Sequence, residues 1–132
     1  MATLCVNDGA NIVATNADSS YPTELGFFPG AGAILSVITT ATGASPTVIG
    51  KPEAGMFEEA LKRLNADAKS SAMIGDRLNT DIQGAADVGM KTILVLSGVS
   101  KREDIDASAV KPDYIFEDIV ALSEALEKAQ ND

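Results

Sequence analysis

The chain has 132 residues, 45% of them hydrophobic, which suffices for a domain with an apolar core. Its 19 acidic residues outnumber the 10 basic ones, and a formal charge of -9 argues against nucleic acid and anionic membranes as partners. Because the chain contains no histidine, catalytic triads and zinc sites lose their usual participant, which leaves carboxylates, lysine and hard cations for any chemistry.

The first 45 residues have the composition of a separate unit. Glycine and proline punctuate residues 16–33, where few charges occur. Residues 31–44 are apolar-rich but contain serine and threonine and fall short of the ~20 residues of a membrane span, so they predict an amphipathic helix of a soluble protein. We place a boundary near Ser45–Pro46, giving units 1–45 and 46–132. The first is too small to bury a core by itself.

The opening residues do not resemble a signal peptide. Asn7 and Asp8 interrupt the apolar start, and no basic segment precedes it. The single cysteine, Cys5, has no partner for an internal disulfide, and we expect it to be a small buried hydrophobic residue. These features predict a cytoplasmic protein.

Short apolar runs alternate with stretches of helical period across the rest of the chain. The predicted strands are residues 47–49, 72–74, 92–96 and 114–116. The predicted helices, with apolar positions three or four apart, are residues 56–64, 78–86 and 119–129. This alternation is typical of an α/β domain with a largely parallel sheet and flanking helices.

The most informative segment is an apolar strand that ends at a glycine and then presents a carboxylate. Asp76 follows the predicted strand and Gly75, at the edge where open α/β sheets bind ligands. A carboxylate there suits a hard cation such as Mg²⁺, although an ordinary loop aspartate would look the same. Asp81 falls in the first turn of the next helix, where Thr80 and Gln83 have capping-box spacing. Taken alone, Asp81 therefore also fits helix capping.

A second informative segment is Gly50-Lys51-Pro52, which follows a strand-like run and precedes a predicted helix. A lysine at this point could meet a phosphate. It does not belong to a Walker loop, because the glycine spacing is wrong and a proline stands where serine or threonine is required. Considered alone, Lys51 also fits an ordinary solvated surface lysine.

Together, Gly50-Lys51-Pro52 and the Gly-Asp-Arg-Leu-Asn-Thr-Asp-Ile run of residues 75–82 resemble the third and fourth motifs of haloacid dehalogenase phosphatases. The resemblance is to the para-nitrophenylphosphatase and phosphoglycolate phosphatase branch, and residues 89–98 extend it. Residues 14–18 and 29–32 resemble cap-domain segments of that branch. The resemblance implies half of a Rossmann-like hydrolase core, with a parallel sheet and flanking helices, plus a remnant of an α/β cap.

The resemblance also implies a role for each matching residue. Lys51 would neutralise the charge of the nucleophile and the phosphate, Asp76 would bind Mg²⁺, and Asp81 would support the metal site. Asp18 and Tyr21 would lie on a substrate-facing loop of the cap, although they also fit a plain turn. The implied activity is Mg²⁺-dependent hydrolysis of a small phosphorylated metabolite through an aspartyl-phosphate intermediate.

The resemblance corresponds to about the second half of a family member. The family's aspartate nucleophile and the aspartate two positions after it have no match here; Asp104 and Asp106 have that spacing, but no apolar strand precedes them. We therefore expect a truncated form that is inactive alone. In the family, the nucleophile strand lies beside the strand that ends at Asp76, so its absence predicts an open sheet edge and a homo-oligomer or strand-exchanged assembly.

Two other hypotheses fit parts of the pattern. The chain could be a non-catalytic module that binds Mg²⁺ or phosphate, or one that assembles with another chain. A receiver-like signalling domain shares an acidic site and a lysine, but it expects an acidic pocket near the chain start, and no strand precedes Asp8.

Overall fold

Two units make up the chain, Met1–Glu53 and Ala54–Asp132. A computed structural model describes residues 1–131, so the second unit is described as far as Asn131. The boundary expected near Ser45–Pro46, between a cap remnant and a core, stays a prediction. No helix in the described part of the chain is both long and apolar enough to cross a membrane.

The first unit combines two helices with two small sheets. Its elements are α1 (Ala2–Asn7), β1 (Val13–Ala14), β2 (Ser20–Thr23), β3 (Gly26–Pro29), α2 (Ala31–Thr42) and β4 (Thr47–Val48). Strands β1 and β4 pair in parallel, with Val13 opposite Thr47, whereas β2 and β3 form an antiparallel hairpin. The helix predicted over residues 31–44 is confirmed, and so is the strand predicted over residues 47–49, which is one residue shorter.

Apolar side chains of the first unit stay largely open to solvent. Within residues 1–53, all of which the structure describes, no hydrophobic side chain is fully buried. Helix α1 buries none of its residues, and the prediction that Cys5 is buried is wrong because Cys5 is exposed. The physical reason is size, since a unit this small has too little interior to cover a short helix.

The second unit is a three-stranded parallel sheet with helices between its strands. Its elements are α3 (Ala54–Leu64), a 3₁₀ turn (Ala68–Ser70), β5 (Ala72–Gly75), a π-helical turn (Leu78–Ile82), α4 (Gln83–Asp87), β6 (Lys91–Val95), α5 (Arg102–Ala107), β7 (Tyr114–Phe116) and α6 (Ile119–Asn131). The strand order is β5-β6-β7, and both pairings are parallel. The predicted α/β class is confirmed, and each strand of this sheet lies within one residue of its predicted position.

The core of the second unit forms between the π-helical turn and the central strand. Leu78, Ile82 and Leu94 are buried together. The partly buried side chains that pack against them are Leu96, Ile105 and Val110. Leu78 and Ile82 lie four residues apart, so they share one face of their helix, and Leu94 belongs to β6. This cluster anchors the helix that begins just after Asp76.

A buried threonine ties β6 to the start of β7. Thr92 is 1% exposed, and its N–H and its hydroxyl both donate to Oδ2 of Asp113, each at 2.9 Å. The same hydroxyl accepts the N–H of Asp113, and Nζ of Lys91 lies 2.6 Å from Oδ1 of that carboxylate. Because Asp113 immediately precedes β7, this network fixes where the strand begins.

We expect Thr92→Val to lower the free energy of unfolding by about 1–2 kcal/mol, because valine has the shape of threonine but leaves the N–H of Asp113 without its acceptor. Chemical denaturation followed by circular dichroism measures the change. Thr40→Val, at an exposed position of α2, is the matched control and should stay within about 0.5 kcal/mol of the wild type. An unchanged midpoint for Thr92→Val would contradict this role of the network.

The same network makes stability depend on pH. The hydrogen bond from Lys91, followed by those from Thr92, lowers the pKa of Asp113 from 3.8 to about 2. Because this folded-state pKa lies below the ordinary value, the ionised carboxylate stabilises the fold above about pH 3.8, and the stabilisation is lost as the pH falls toward 2. The Asp113→Asn variant should melt several degrees below the wild type at pH 7. This difference in melting temperature should narrow as the pH falls from about 3.8 toward 2. Equal melting temperatures at pH 7 would refute the prediction.

Candidate functional site

The carboxyl ends of β5 and β6 meet at one edge of the parallel sheet. Asp76 follows Gly75, the last residue of β5, and the segment Gly98–Ser100 begins three residues beyond the end of β6. Neighbouring parallel strands end at the same edge, which is where open α/β sheets bind ligands. The structure therefore places Asp76 at the kind of edge that its sequence context predicts.

Two backbone amides of the Gly98–Ser100 segment hold Asp76. The N–H of Val99 donates to Oδ2 of Asp76 at 2.9 Å, and the N–H of Ser100 donates to its main-chain oxygen at 2.9 Å. A Cβ on Gly98 would lie 2.2 Å from that Oδ2, so only glycine permits this close approach. The half-buried carboxylate thus has one oxygen fixed by the backbone.

Asp81 is 3% exposed and supports the turn that carries Asp76. Its Oδ2 accepts the N–H of Asp76 at 3.1 Å and the N–H of Arg77 at 3.0 Å. A Cβ on Gly75 would lie 2.2 Å from the Cβ of Asp81, so the glycine at the strand end is what allows the contact. The structure therefore brings Asp76 and Asp81 together, with Asp81 as the acceptor for the backbone of the turn.

The helix that carries this buried carboxylate begins differently from the predicted capping box. Its N-cap residue is Arg77, whose own side chain makes no capping hydrogen bond. The amide of Gln83 instead donates to Oδ1 of Asp87 at 2.7 Å. The prediction is wrong because the first turn is π-helical: the N–H of Ile82 donates to the oxygen of Arg77, five residues back, so the helix already begins before Thr80.

The oxygen donors at this edge fit part of a magnesium site. Proteins commonly bind Mg²⁺ through one or two carboxylates, while waters and phosphate oxygens complete the octahedron. Asp76 can offer the oxygen that Val99 does not bind, whereas Oδ2 of Asp81 already accepts two amides. Across residues 1–131, no three carboxylate or cysteine side chains cluster closely enough to hold a metal ion. The donor set of the described residues at this edge therefore suits a single carboxylate ligand of a hard cation.

Lys51 belongs to the first unit, where it follows β4 and the buried Gly50. The lysine is exposed, and just before it the N–H of Ile49 donates to the oxygen of Ala14 at 2.9 Å, which extends the pairing of β4 with β1. The peptide bond between Lys51 and Pro52 is cis. Lys51 therefore follows the carboxyl end of a parallel strand.

Asp18 and Tyr21 also lie in the first unit, and both are exposed. The N–H of Asp18 donates to Oδ1 of Asn16 at 3.1 Å, and its main-chain oxygen accepts an N–H from the start of α2. Tyr21, in β2, packs edge-on against Phe28 with ring centroids 6.2 Å apart. Because β1 and β4 run in parallel, the segment that leads to Asp18 and the segment that carries Lys51 leave the same edge of their sheet.

Sequence patterns did not identify Val99 and Ser100 as site residues. Their bonds to Asp76 and Leu78 join positions 23 and 22 residues apart, a separation that local periodicity does not detect. One usable signal is Gly98, because a glycine just beyond the neighbouring strand is a candidate for close approach to the residue that follows β5.

Comparisons with known proteins identify relatives of known activity. A family model described as HAD-hydrolase-like matches residues 48–122, more than half of the chain. Acid sugar phosphatase from Staphylococcus aureus is 47% identical over 128 residues, which are 97% of this chain and 49% of that protein. The chain thus spans about half the length of the curated relatives that it matches, and the match is to their C-terminal half.

Two solved structures resemble the chain closely. The p-nitrophenyl phosphatase from Archaeoglobus fulgidus has a TM-score of 0.86 and 37% identity, over 93% of this chain and 49% of that one. The glycerol phosphate phosphatase from Mycobacterium tuberculosis, in complex with magnesium, has a TM-score of 0.83 and 39% identity, over 92% of this chain and 37% of that one.

Proposed function

This chain belongs to the haloacid dehalogenase-like (HAD-like) hydrolase family, and on that basis we propose that it supplies the C-terminal half of a Mg²⁺-dependent phosphatase. The observation that carries the proposal is the carboxylate of Asp76 at the carboxyl end of β5, with one oxygen fixed by the N–H of Val99. A carboxylate that is already oriented is well suited to be a metal ligand, because its side chain loses little conformational freedom when the ion binds.

Three charged residues would share the work of the proposed site. Asp76 would hold Mg²⁺ through its second oxygen, and the bound ion would supply positive charge to the phosphate. Asp81 keeps the amides of Asp76 and Arg77 bonded, so the carboxylate stays oriented before any ion arrives. Lys51 would add a cation beside the phosphate and the attacking group, because phosphoryl transfer depends mainly on positioning and charge neutralisation.

The group that attacks phosphorus comes, in this proposal, from outside these 132 residues. Asp104 and Asp106 lie in the short helix α5, and Oδ2 of Asp104 accepts the N–H of Lys101 at the start of that helix. Neither follows a strand, so neither is placed as the nucleophile of this family would be. An aspartate at the end of another strand would form the covalent phosphoenzyme, and this chain by itself should not turn over substrate.

A small phosphate monoester is the proposed substrate class. In the first unit, the exposed Asp18 offers a carboxylate, and Tyr21 of β2, which is 50% exposed, offers an aromatic face and a hydroxyl. Side chains of these kinds can orient a polar metabolite. The proposed location is the cytoplasm, since a single exposed cysteine, Cys5, suits a reducing compartment.

A second candidate function, an assembly module, rests on the open edge of β5. In the described part of the sheet β5 pairs only with β6, and Ile74 on that strand is 43% exposed. An unpaired edge with apolar side chains can accept a strand from another chain. This hypothesis predicts a homo-oligomer or a strand-exchanged complex, and a stable monomer at micromolar concentration in analytical ultracentrifugation would contradict it.

A hybrid enzyme tests the proposed phosphatase function. In this hybrid the chain replaces the 128 matching residues of the Staphylococcus aureus acid sugar phosphatase. We expect hydrolysis of para-nitrophenyl phosphate that requires added Mg²⁺ and stops when the ion is chelated. The parent enzyme in the same assay is the control. A folded hybrid that shows no Mg²⁺-dependent hydrolysis would contradict the proposal.

A further inference from the structure

We propose that Ser100 is a positioning residue for the carboxylate of Asp76, an inference that rests on the proposed metal-binding function of that carboxylate. Ser100 is 8% exposed, and it makes two bonds to the turn that follows β5. Its hydroxyl accepts the N–H of Leu78 at 3.1 Å, and its own N–H donates to the main-chain oxygen of Asp76 at 2.9 Å. One residue therefore holds the turn on both sides of Arg77.

The bond to Leu78 fixes where the next helix begins. Leu78 is the first residue of the π-helical turn and is 6% exposed, so its N–H has little access to water if the serine hydroxyl is removed. A buried N–H without an acceptor is costly, and the helix start would shift to find one. Because Asp76 lies only two residues earlier, such a shift would move its carboxylate.

The residue next to Ser100 fixes the carboxylate directly. Val99 has a side chain that is 56% exposed, and its contribution is the N–H bound to Oδ2 of Asp76. Nζ of Lys101 donates to the main-chain oxygen of Gly98 at 2.8 Å, a bond that spans the Gly98–Ser100 segment. Ser100 thus holds the amide of Val99 in place, and one carboxylate oxygen is left to face the cation. Partners of this kind behind a metal ligand typically change metal affinity by about 10–100-fold.

Mn²⁺, a paramagnetic substitute for Mg²⁺, tests the inference on the 132-residue chain itself. In the ¹⁵N-labelled wild type, Mn²⁺ should broaden the amide signals of residues 76–79 and 98–100. Ser100→Ala should raise the Mn²⁺ concentration for half broadening about tenfold. Ser100→Thr keeps the hydroxyl and should restore the wild-type value to within about threefold. Ser123→Ala, at an exposed position of α6, is the matched control and should change nothing.

The outcomes separate this inference from the proposed function. If Asp76→Asn abolishes the broadening but Ser100→Ala stays within about twofold of the wild type, the positioning role is overturned and the metal assignment stands. If Asp76→Asn leaves the broadening unchanged, both fail. Should Ser100→Ala unfold the chain, Val99→Pro removes the N–H bound to Oδ2 while keeping the serine. The Val99→Pro variant should also need about tenfold more Mn²⁺ for half broadening, and an unchanged Mn²⁺ concentration would overturn the inference.

Discussion

In the hybrid enzyme, Asp76→Asn should lower kcat for para-nitrophenyl phosphate by about 10³-fold at saturating Mg²⁺. The reason is that asparagine removes the negative charge and the anionic oxygen that the cation would bind. It keeps a carbonyl oxygen that can still accept the N–H of Val99, so the turn should persist. The melting temperature should therefore change by less than about 2 °C, which separates a chemical loss from unfolding.

The control for this prediction is Asp87→Asn. Asp87 is exposed on α4 and bonds to Gln83 rather than to any residue of the site. Its kcat should stay within about twofold of the unmodified hybrid, as expected for a surface change away from the chemistry. An Asp76→Asn hybrid that keeps more than about a tenth of the activity would rule out Asp76 as a metal ligand.

Asp81→Ala should lower the free energy of unfolding by about 3 kcal/mol. The substitution strips two backbone N–H groups, those of Asp76 and Arg77, of an acceptor that lies in a nearly solvent-free position. Hydrogen bonds to a charged acceptor contribute more than neutral ones, and the lost volume adds a cavity cost. Urea denaturation monitored by circular dichroism measures the change.

Asp81→Asn is the informative companion, because it retains one oxygen for the same two amides and should cost roughly half as much. Asp87→Ala serves as the exposed control and should stay within about 0.5 kcal/mol of the wild type. If the free energy of unfolding of Asp81→Ala lay within about 1 kcal/mol of the wild-type value, Asp81 would not be the residue that supports the turn.

The sheet of the second unit and the position of Asp76 could be predicted because each follows from a local pattern. The strand before Asp76 is a short apolar run that ends at a glycine. Open parallel sheets bind their ligands at the carboxyl ends of the strands, which is where Asp76 lies. Asp81 was predicted within the first helical turn, but its bonds to the amides of Asp76 and Arg77 were not. They depend on a π-helical turn, which has no clear sequence signal.

The hairpin and the Gly98–Ser100 segment show what local patterns miss. Proline has no N–H to donate, so Pro22 and Pro29 argue against strands in a sequence-based prediction. Both nevertheless fit the hairpin, because each strand of a two-stranded sheet has one unpaired edge where no N–H donor is required. The bonds from Val99 and Ser100 depend on how neighbouring strands end, which becomes visible only once the sheet is assembled. The convergence of Lys51 with Asp76 stays a prediction, since the two residues belong to different units.

The most direct test asks whether the nucleophile comes from outside this chain. The chain and the remaining half of the Staphylococcus aureus acid sugar phosphatase can be purified separately and assayed alone and mixed, with Mg²⁺ and para-nitrophenyl phosphate. We predict hydrolysis only in the mixture, and its loss when the chain carries Asp76→Asn. Turnover by the isolated chain that disappears in Asp76→Asn would contradict the proposal, because the nucleophile would then lie within these residues.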